Sequence, residues 1–589
     1  MELVIKETGR IKEETHKREP VFKIEDGILV DCNLNGSKTV TIPADVKIID
    51  QMCFASTDVE EVILPEGIEC IGSRAFANCN ELKKINFPET LNAIKDRAFS
   101  NCYSLAKVIL PETLAELGDL AFYDAGIKQL VLPKEAASTG VSVFSGIKIK
   151  AIDIPEKFKL SKAMFSICQD LHTVNFEAEA DEVTIPEKCF YHCTDLTEID
   201  INKALFIEDS AFLKCHSLSV DTIPAHAYVS ACAFSETGVT DVIIEDISKI
   251  SERTFAECEL LKKLTINVPA KWETYAGLSV PKELACECKS LQTITFTGHT
   301  ENLSSIKEAA FRDTAALTEI NLPDSIHMIE KYAFRDSGIK NIHLPENLKQ
   351  IGAGAFAMSK LKSVTIPDKV MKLGKGVFNS CYGLTEAALP ESVTTIPDES
   401  FFNCFKLKIV HTSGIKTIGN DAFSHCKVLK AFNFSQIKEL GNMSFSDTGI
   451  CEAIFSNKLT KLQPSIFCSC KSLQTVDMSA CNKVKTIPTR CFEGCSKLTD
   501  VKLPSNVHKF GDDCFESVKF DKLVIKAGTR IDFHAFGEAV INELEFIDDA
   551  DSQTKTIVDA FAFARAKIGR LVIPDYMYNR FEKAISKMQ

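Results

Sequence analysis

The amino-acid sequence predicts a solenoid, a fold in which short, similar coils stack along one axis and share a continuous core. Phenylalanine recurs at nearly fixed intervals, most of them 21 to 25 residues, over almost the whole chain of 589 residues. Most of these phenylalanines precede a short apolar stretch that ends in Leu-Pro or Ile-Pro. A repeat of this period indicates stacked coils rather than several globular domains.

Twenty-three positions share the phase of this repeat and serve as anchors of the predicted coils. One of them, Ala285, stands where a phenylalanine is missing, and Phe561 is taken as the last. The others are Phe54, Phe76, Phe99, Phe122, Phe144, Phe165, Phe190, Phe212, Phe234, Phe255, Phe311, Phe334, Phe356, Phe378, Phe401, Phe423, Phe445, Phe467, Phe492, Phe515 and Phe536.

Each coil is predicted to contain one short strand, as in the stretch where Leu82, Ile85 and Phe87 point into the stack. Pro88 closes that strand, because proline has no N–H to donate to a ladder. Neighbouring coils pair these strands into a parallel sheet. The stretch after the proline, which often ends in Ile-Gly, is predicted to turn the chain toward the next phenylalanine.

The repeat predicts the organisation of the chain. Residues 1–20 form a polar tail, and residues 21–45 form a capping hairpin, because apolar residues alternate on both sides of Asp26-Gly27. Residues 46–574 form one continuous array of about 23 units, without a linker rich in glycine, serine or proline.

The C-terminal residues 575–589 are predicted to form a capping helix. Apolar residues such as Met577, Phe581 and Ile585 recur there at three- and four-residue spacing. An array covered at both ends is expected to be a monomer.

Composition excludes some classes of partner. The net charge of −13 argues against nucleic-acid binding, which requires a basic surface. No apolar run is long enough to span a membrane, and the N-terminus has no secretory signal. The sequence alone therefore predicts a cytoplasmic protein without membrane insertion.

The 23 cysteines follow the phase of the repeat. A cysteine at a fixed repeat position is expected to be a free, buried core thiol rather than part of a disulfide framework. Twelve lie three residues after an anchor: Cys79, Cys102, Cys168, Cys193, Cys215, Cys258, Cys288, Cys381, Cys404, Cys426, Cys470 and Cys495.

The recurring phrase, Ala-Phe-x-x-Cys-x-x-Leu-x-x-Val-x-Leu-Pro, resembles the BspA-type leucine-rich repeat family from Phe22 to Pro574. The opening Phe-x-Ile-x-Asp-Gly-x-Leu is also similar to a first unit of that family. The resemblance implies a curved, right-handed leucine-rich repeat solenoid with a parallel sheet on its concave face. It also implies a surface or secreted microbial protein used in adhesion and protein binding.

The concave sheet is the first candidate binding surface, because side chains between the inward apolar residues are free to contact a ligand. Small polar residues prevail in the middle of the array. The alternative is that threonine and asparagine merely suit a solvated strand. The candidates are Thr293, Thr295, Glu319, Asn321, Asn341, His343, Ser363 and Thr365.

A break in the repeat is the second candidate. The step from Phe255 to Ala285 is 30 residues long and contains an insertion with Trp272, the only tryptophan, and Tyr275. Insertions in repeat arrays form loops that often bind partners, and exposed Trp and Tyr are frequent interface anchors. The alternative is a loop that packs Trp272 against the edge of the solenoid.

No metal, cofactor or catalytic site is predicted. Cysteine pairs such as Cys189 and Cys193 lack the four converging ligands of a zinc site, and no Gly-rich phosphate loop or nucleophile elbow occurs. The leading hypothesis is a non-enzymatic solenoid that binds a protein, or a glycan, through the concave face. The alternative is an intracellular scaffold without an adhesive role.

Overall fold

A computed structural model describes most of the chain. The described residues are 19–135, 138–177, 183–270, 277–547 and 556–574, together with 578, 582, 583 and 586. They fall into two compact units. Unit 1 comprises Met1–Ser219 and His226–Gly238, and unit 2 comprises Val220–Ala225 and Val239–Gln589.

Both units are β-solenoids, with about 23 turns in all and little helix. Most coils contain two short strands. The first strand precedes the Leu-Pro or Ile-Pro step, and the second precedes the turn that carries the next phenylalanine. Strands of the same kind pair in parallel between coils, as Lys107–Ile109 does with Gln129–Val131.

The strands of unit 1 comprise an N-terminal hairpin and the two kinds of coil strand. The hairpin strands are Val21–Glu25 and Ile28–Asn33. The first strands are Thr39–Thr41, Glu61–Ile63, Lys84–Ile85, Lys107–Ile109, Gln129–Val131, Ala151–Ile154, Thr173–Phe176 and Glu198–Ile199. The second strands are Ile48–Ile49, Cys70–Ile71, Ala93–Ile94, Glu116–Leu117, Ser138–Thr139, Val183–Ile185, Ala204–Ile207 and Tyr228–Val229. A single 3₁₀ turn among the described residues of this unit is Ile201–Lys203.

Unit 2 repeats the same arrangement. Its first strands are Thr222–Ile223, Asp241–Ile244, Lys263–Val268, Thr293–Gly298, Ser363–Thr365, Glu386–Ala388, Ile409–His411, Glu452–Ile454, Thr475–Asp477, Asp500–Lys502, Lys519–Lys526, Val540–Ile547 and Lys567–Val572. Its second strands are Leu278–Val280, Leu303–Ile306, Met328–Ile329, Gln350–Ile351, Lys372–Leu373, Thr395–Ile396, Thr417–Ile418, Glu439–Leu440, Thr486–Ile487, Lys509–Phe510, Arg530–Ile531 and Ile557–Val558. Its 3₁₀ turns are Ile247–Lys249 and Thr300–Asn302.

The second strand was not predicted: the stretch after the proline contains it before the chain turns toward the next phenylalanine. Ala93–Ile94, for example, pairs in parallel with Glu116–Leu117 of the next coil. The glycine that often follows allows adjacent coils to approach closely. A Cβ at Gly419 would lie 2.4 Å from the backbone nitrogen of Asp398, so a larger residue would push the two coils apart.

The hairpin at the start of unit 1 turns at Asp26-Gly27, where both residues have positive φ, 50° and 77°. Such a turn matches the twist of two antiparallel strands. Its second strand continues into the parallel sheet, because Ile28 pairs with Ile48. The tail 1–18 lies outside the described residues, and so does most of the predicted helix 575–589.

The phenylalanine anchors form stacks of nearly parallel rings. Phe54 and Phe76 lie 4.9 Å apart between ring centroids at an interplanar angle of 7°, and both are fully buried. Separations along the stacks reach 6.0 Å. The backbone N–H of Phe76 donates to the carbonyl of Ala98 at 2.8 Å, a bond that recurs from coil to coil. Rings and backbone bonds therefore hold successive coils together.

Two anchor assignments have different outcomes. Ala285 is confirmed in the phenylalanine phase, because its N–H donates to Ala310 in the bond that an anchor makes. Phe561 is wrong as the last anchor, because it is 44% exposed. Phe563 stacks on Phe536 at 5.2 Å instead. The local sequence contains Ala-Phe twice in succession, so the motif alone does not select the buried ring.

The cysteines in repeat phase act as hydrogen-bond donors between coils. The thiol of Cys79 donates to the carbonyl of Phe54 at 2.9 Å, and that of Cys102 donates to Phe76 at 3.1 Å. All 23 cysteines are free, and most are buried. The thiol adds a bond between coils to a carbonyl that also accepts a backbone N–H within its own coil, as Phe76 does from Cys79 at 3.2 Å.

Replacing Phe401 by alanine is expected to lower the free energy of unfolding by about 3–5 kcal/mol, because this fully buried ring leaves a cavity in the stack. Phe405 in the same coil is 39% exposed, so Phe405→Ala is the matched control and is expected to cost about 1 kcal/mol. Urea unfolding followed by circular dichroism measures both. Equal losses would contradict the role assigned to the stack.

Alkaline pH is expected to destabilise the protein through the buried thiols. Burial raises the pKa of Cys381 and Cys470 to about 12, above an ordinary value of 9.0. The neutral thiol is thus favoured by folding, and its stabilisation is complete below pH 9 and lost as pH rises toward 12. At pH 10 the loss is on the order of 1 kcal/mol per thiol.

Thermal melting between pH 8 and pH 10 measures this effect. The variant Cys381→Ala with Cys470→Ala is expected to lose less stability over that interval than the unmodified chain. Lysine and tyrosine titrate equally in both proteins, so the difference isolates the thiols. Identical pH dependence would contradict the prediction.

Candidate functional site

The eight residues predicted for the concave sheet all lie on one surface of unit 2. We call this surface the first-strand face, meaning the outward side chains of the first strands and of the equivalent extended segments. All eight are exposed: Thr293, Thr295, Glu319, Asn321, Asn341, His343, Ser363 and Thr365.

Strand alternation places these side chains outward. In Thr293–Gly298, Ile294 is 6% exposed and points into the core, while Thr293 and Thr295 point away from it. Val364 likewise is buried between the outward Ser363 and Thr365. The apolar residues thus fix which polar residues a ligand can reach.

A groove opens among four of the eight. Thr293–Gly298 is the last strand of its sheet, and the next coil passes it without pairing to it as a strand. The groove between them has a volume of about 720 Å³, and the predicted residues that line it are Thr293, Thr295, Glu319 and Asn321. Asn321 forms an isolated parallel bridge with His343, which continues the surface into the following coil.

The eight predicted side chains are unpaired within the part of the chain that the structure describes. None of the eight makes a side-chain hydrogen bond or an ion pair with another described residue. At equivalent positions elsewhere, His411 Nε2 lies 2.8 Å from Glu386 Oε1, and Lys502 Nζ lies 3.5 Å from Asp477. The groove therefore offers hydrogen-bonding groups, and one carboxylate at Glu319, to a ligand.

The second candidate, the insertion with Trp272 and Tyr275, lies outside the described residues. Its two ends are described. It leaves the strand Lys263–Val268, and the chain resumes at Gly277 before the next second strand. Asn302 Nδ2 donates to the carbonyl of Pro269 at 3.0 Å, which anchors the start of the insertion. Whether Trp272 binds a partner stays a prediction.

The cysteine pairs that the sequence presents are parts of the core. Burial raises the pKa of Cys189 and Cys193 well above the ordinary range. The Cys193 thiol donates to Phe165 at 3.1 Å. Protonated, enclosed thiols are poor metal ligands and poor nucleophiles.

A cluster that the sequence analysis missed lies on the turns near the end of unit 2. Possible ligand atoms of Asp513, Glu516 and His534 lie within 4.8 Å of one another. Burial, followed by the neighbouring carboxylates of Asp513 and Glu493, raises the pKa of Glu516. Arg490 Nε lies 3.6 Å from Asp513 and supplies a counter-charge. Asp513 and Glu516 lie in one coil and His534 lies in the next, so only the repeat phase could have brought His534 to the other two in a sequence analysis.

The class of the protein is a leucine-rich repeat solenoid. Its stacked coils, stacked phenylalanine rings and parallel strand ladders define that class. The profile described as BspA type leucine-rich repeat region matches the chain in six copies, and the chain belongs to this family. The matched residues are 22–146, 104–218, 183–304, 278–408, 407–521 and 477–587. No curated protein matches the chain.

Solved structures of leucine-rich repeat proteins are similar to this chain. One, from Bacteroides ovatus ATCC 8483, is 20% identical, with 86% of this chain and 92% of that chain covered and a TM-score of 0.29. A leucine-rich cell surface protein from Faecalibacterium prausnitzii A2-165 is 20% identical, with coverage of 68% and 94% and a TM-score of 0.27. A leucine-rich repeat protein of T. pallidum is 26% identical, with coverage of 29% and 79% and a TM-score of 0.26.

Among the residues that the structure describes, no helix has the length and apolar character needed to cross a membrane.

Proposed function

We propose that this chain is a non-enzymatic binding protein that engages a protein ligand through the first-strand face of unit 2. The observation that carries the proposal is a set of eight exposed polar side chains that have no partner among the described residues, four of which line the groove at Thr293 and Asn321. A repeat array supports this role, because its strands hold many side chains rigidly on one surface.

The chemistry of the groove favours a polypeptide ligand. Hydroxyl and amide groups, such as those of Thr295 and Asn321, can both donate to and accept from a peptide backbone. Glu319 adds one negative charge that a lysine or arginine of the ligand can neutralise. The mixture suits an interface with many moderate hydrogen bonds and little apolar burial.

The family resemblance implies display on a microbial cell surface, and the proposal includes that location. Biotinylation of intact native cells with a reagent that does not cross membranes is expected to label the protein. Labelling only after lysis would favour the intracellular scaffold instead.

The binding proposal is tested with the double variant Thr293→Arg with Asn321→Arg. Two long cations in the groove are expected to lower the affinity for the ligand at least 10-fold, or about 1.4 kcal/mol. Both positions are exposed, so the fold is expected to persist. The matched control is Thr39→Arg with Thr41→Arg, two exposed threonines on the first-strand face of unit 1.

The measurement begins with affinity capture from a candidate host lysate by the intact chain and both variants, followed by mass spectrometry. Proteins retained by the intact chain and the control, but lost with the groove variant, are then purified and titrated. Ligands that bind all three equally would reject this site. A glycan array on which the groove variant alone loses binding would assign the groove to carbohydrate instead.

A further inference from the structure

Unit 1 carries an uncompensated basic cluster on its first-strand face. Lys107, Lys128, Lys148 and Lys150 are exposed, and none forms an ion pair with a described residue. Lysines of the coil before them are paired: Lys83 Nζ lies 2.6 Å from Glu60. In a chain with a net charge of −13, four adjacent unpaired lysines form a local field of the opposite sign.

Exposed aliphatic side chains lie beside these lysines. Ile109 is 50% exposed and Val131 is 52% exposed, and the two are in register on neighbouring strands. Ile63, two coils earlier at the equivalent position, is 44% exposed. These β-branched side chains expose apolar surface to water on an otherwise polar face. A ligand that covers them would gain the free energy of burying that surface.

Two grooves in this region provide space for a ligand. One, of about 870 Å³, lies beside Lys107, Ile109, Lys128, Val131 and Lys150, and Asp170 is its acidic member. The other, of about 730 Å³, is lined by Ile63, Phe87 and Ile109 among others.

Both grooves lie where the ladder of first strands is interrupted. Lys84–Ile85 does not pair as a strand with Lys107–Ile109, and Gln129–Val131 does not pair with Ala151–Ile154. No strand ladder joins the coils at these two places, and the two grooves lie there.

We propose that this region, which we call the lysine patch (Lys107, Lys128, Lys148 and Lys150 with Ile109 and Val131), binds an extended polypeptide segment that alternates acidic and aliphatic residues. Carboxylates of such a segment would pair with the four lysines, and its aliphatic side chains would cover Ile109 and Val131. Together with Ile63, two coils earlier, the patch spans four coil steps from Ile63 to Ala151, about 19 Å, the length of roughly six extended residues.

The observations favour a polypeptide over other anionic ligands. The side chains beside the lysines are aliphatic, whereas single-stranded nucleic acid is held by aromatic platforms on which bases stack. The patch is also distinct in chemistry from the groove in unit 2, where the outward residues are hydroxyls, amides and Glu319. The two sites are therefore testable independently.

The test uses the full-length chain and a fluorescein-labelled peptide of twelve residues that alternates glutamate with valine. We expect saturable binding by fluorescence anisotropy at low salt, and weaker binding as salt screens the ion pairs. A peptide with lysine for glutamate, and one with serine for valine, are both expected to bind at least 10-fold more weakly. Equal binding of the serine peptide would overturn the aliphatic part of the proposal.

Charge reversal locates the site. The variant Lys107→Glu, Lys128→Glu and Lys150→Glu is expected to lower affinity for the peptide about 100-fold. The matched control is Lys362→Glu, Lys408→Glu and Lys430→Glu. It reverses three exposed lysines of unit 2 that have no ion pair with a described residue, and it changes net charge equally. The control is expected to stay within 2-fold of the unmodified chain. An equal loss in the control, or no binding at all, would overturn the proposal.

The aliphatic contribution has its own pair of variants. Ile109→Ser with Val131→Ser is expected to weaken binding about 10-fold. Ile454→Ser changes an isoleucine that is 51% exposed at the equivalent position of unit 2, and it is expected to have no effect. All of these positions are exposed, so the variants are expected to fold. Melting temperatures that match that of the unmodified chain would confirm this.

Three further measurements decide between occupants. Tighter binding of single-stranded DNA or of phosphatidylserine vesicles than of the peptide, lost on charge reversal, would overturn the choice of a polypeptide. Sedimentation that shows a dimer abolished by the same charge reversal would assign the patch to a second copy of the chain. Binding of the peptide that survives Thr293→Arg with Asn321→Arg supports a site separate from the groove in unit 2.

Discussion

Stacking of one buried phenylalanine ring on the next is the contact on which the rest of each unit depends. The ring of Phe76 lies between those of Phe54 and Phe99, at 4.9 and 5.1 Å. The backbone N–H of Phe76 bonds the carbonyl of Ala98, the residue before Phe99, so ring stack and backbone bond enforce the same spacing. With the ring position fixed, each of the two strands of the coil pairs with the equivalent strand of a neighbouring coil. This pairing sets the direction of every outward side chain.

The repeat period contains most of the information about the fold, because burial of a large ring at one phase is a strong and periodic signal. The second strand is harder to predict. It is only two residues long in many coils, too short for an apolar alternation. The residues with positive φ around each ring are also difficult to predict from the sequence. Arg74 and Asn78 flank Phe76 with φ of 57° and 61°, and of the two only asparagine is a residue type enriched in that conformation.

The candidate site illustrates a different limit. Alternation along Thr293-Ile294-Thr295 predicts which side chains face solvent, and the structure places them there. Whether an outward side chain has a hydrogen-bond partner depends on the residue beside it in the adjacent coil. That residue lies one repeat away in the sequence. Asn175 bonds Asp153 at 2.8 Å, whereas Asn321 has no such partner among the described residues. Residue types alone do not separate these two asparagines, and neither do they reveal where a ladder opens into a groove.

The hydrogen bonds between coils have a consequence for how such a chain can evolve. The coil of Phe76 donates through Cys79 to the coil before it and receives the thiol of Cys102 from the coil after it. If recombination removed the stretch from Phe76 to Ala98, the thiol of Cys102 would meet the carbonyl of Phe54, which now accepts the thiol of Cys79. Removing half of that stretch would misplace both a ring and a thiol relative to the neighbouring coils. Copy number can therefore change in whole coils at little cost, while the ligand-facing surface is lengthened or shortened in steps of one strand.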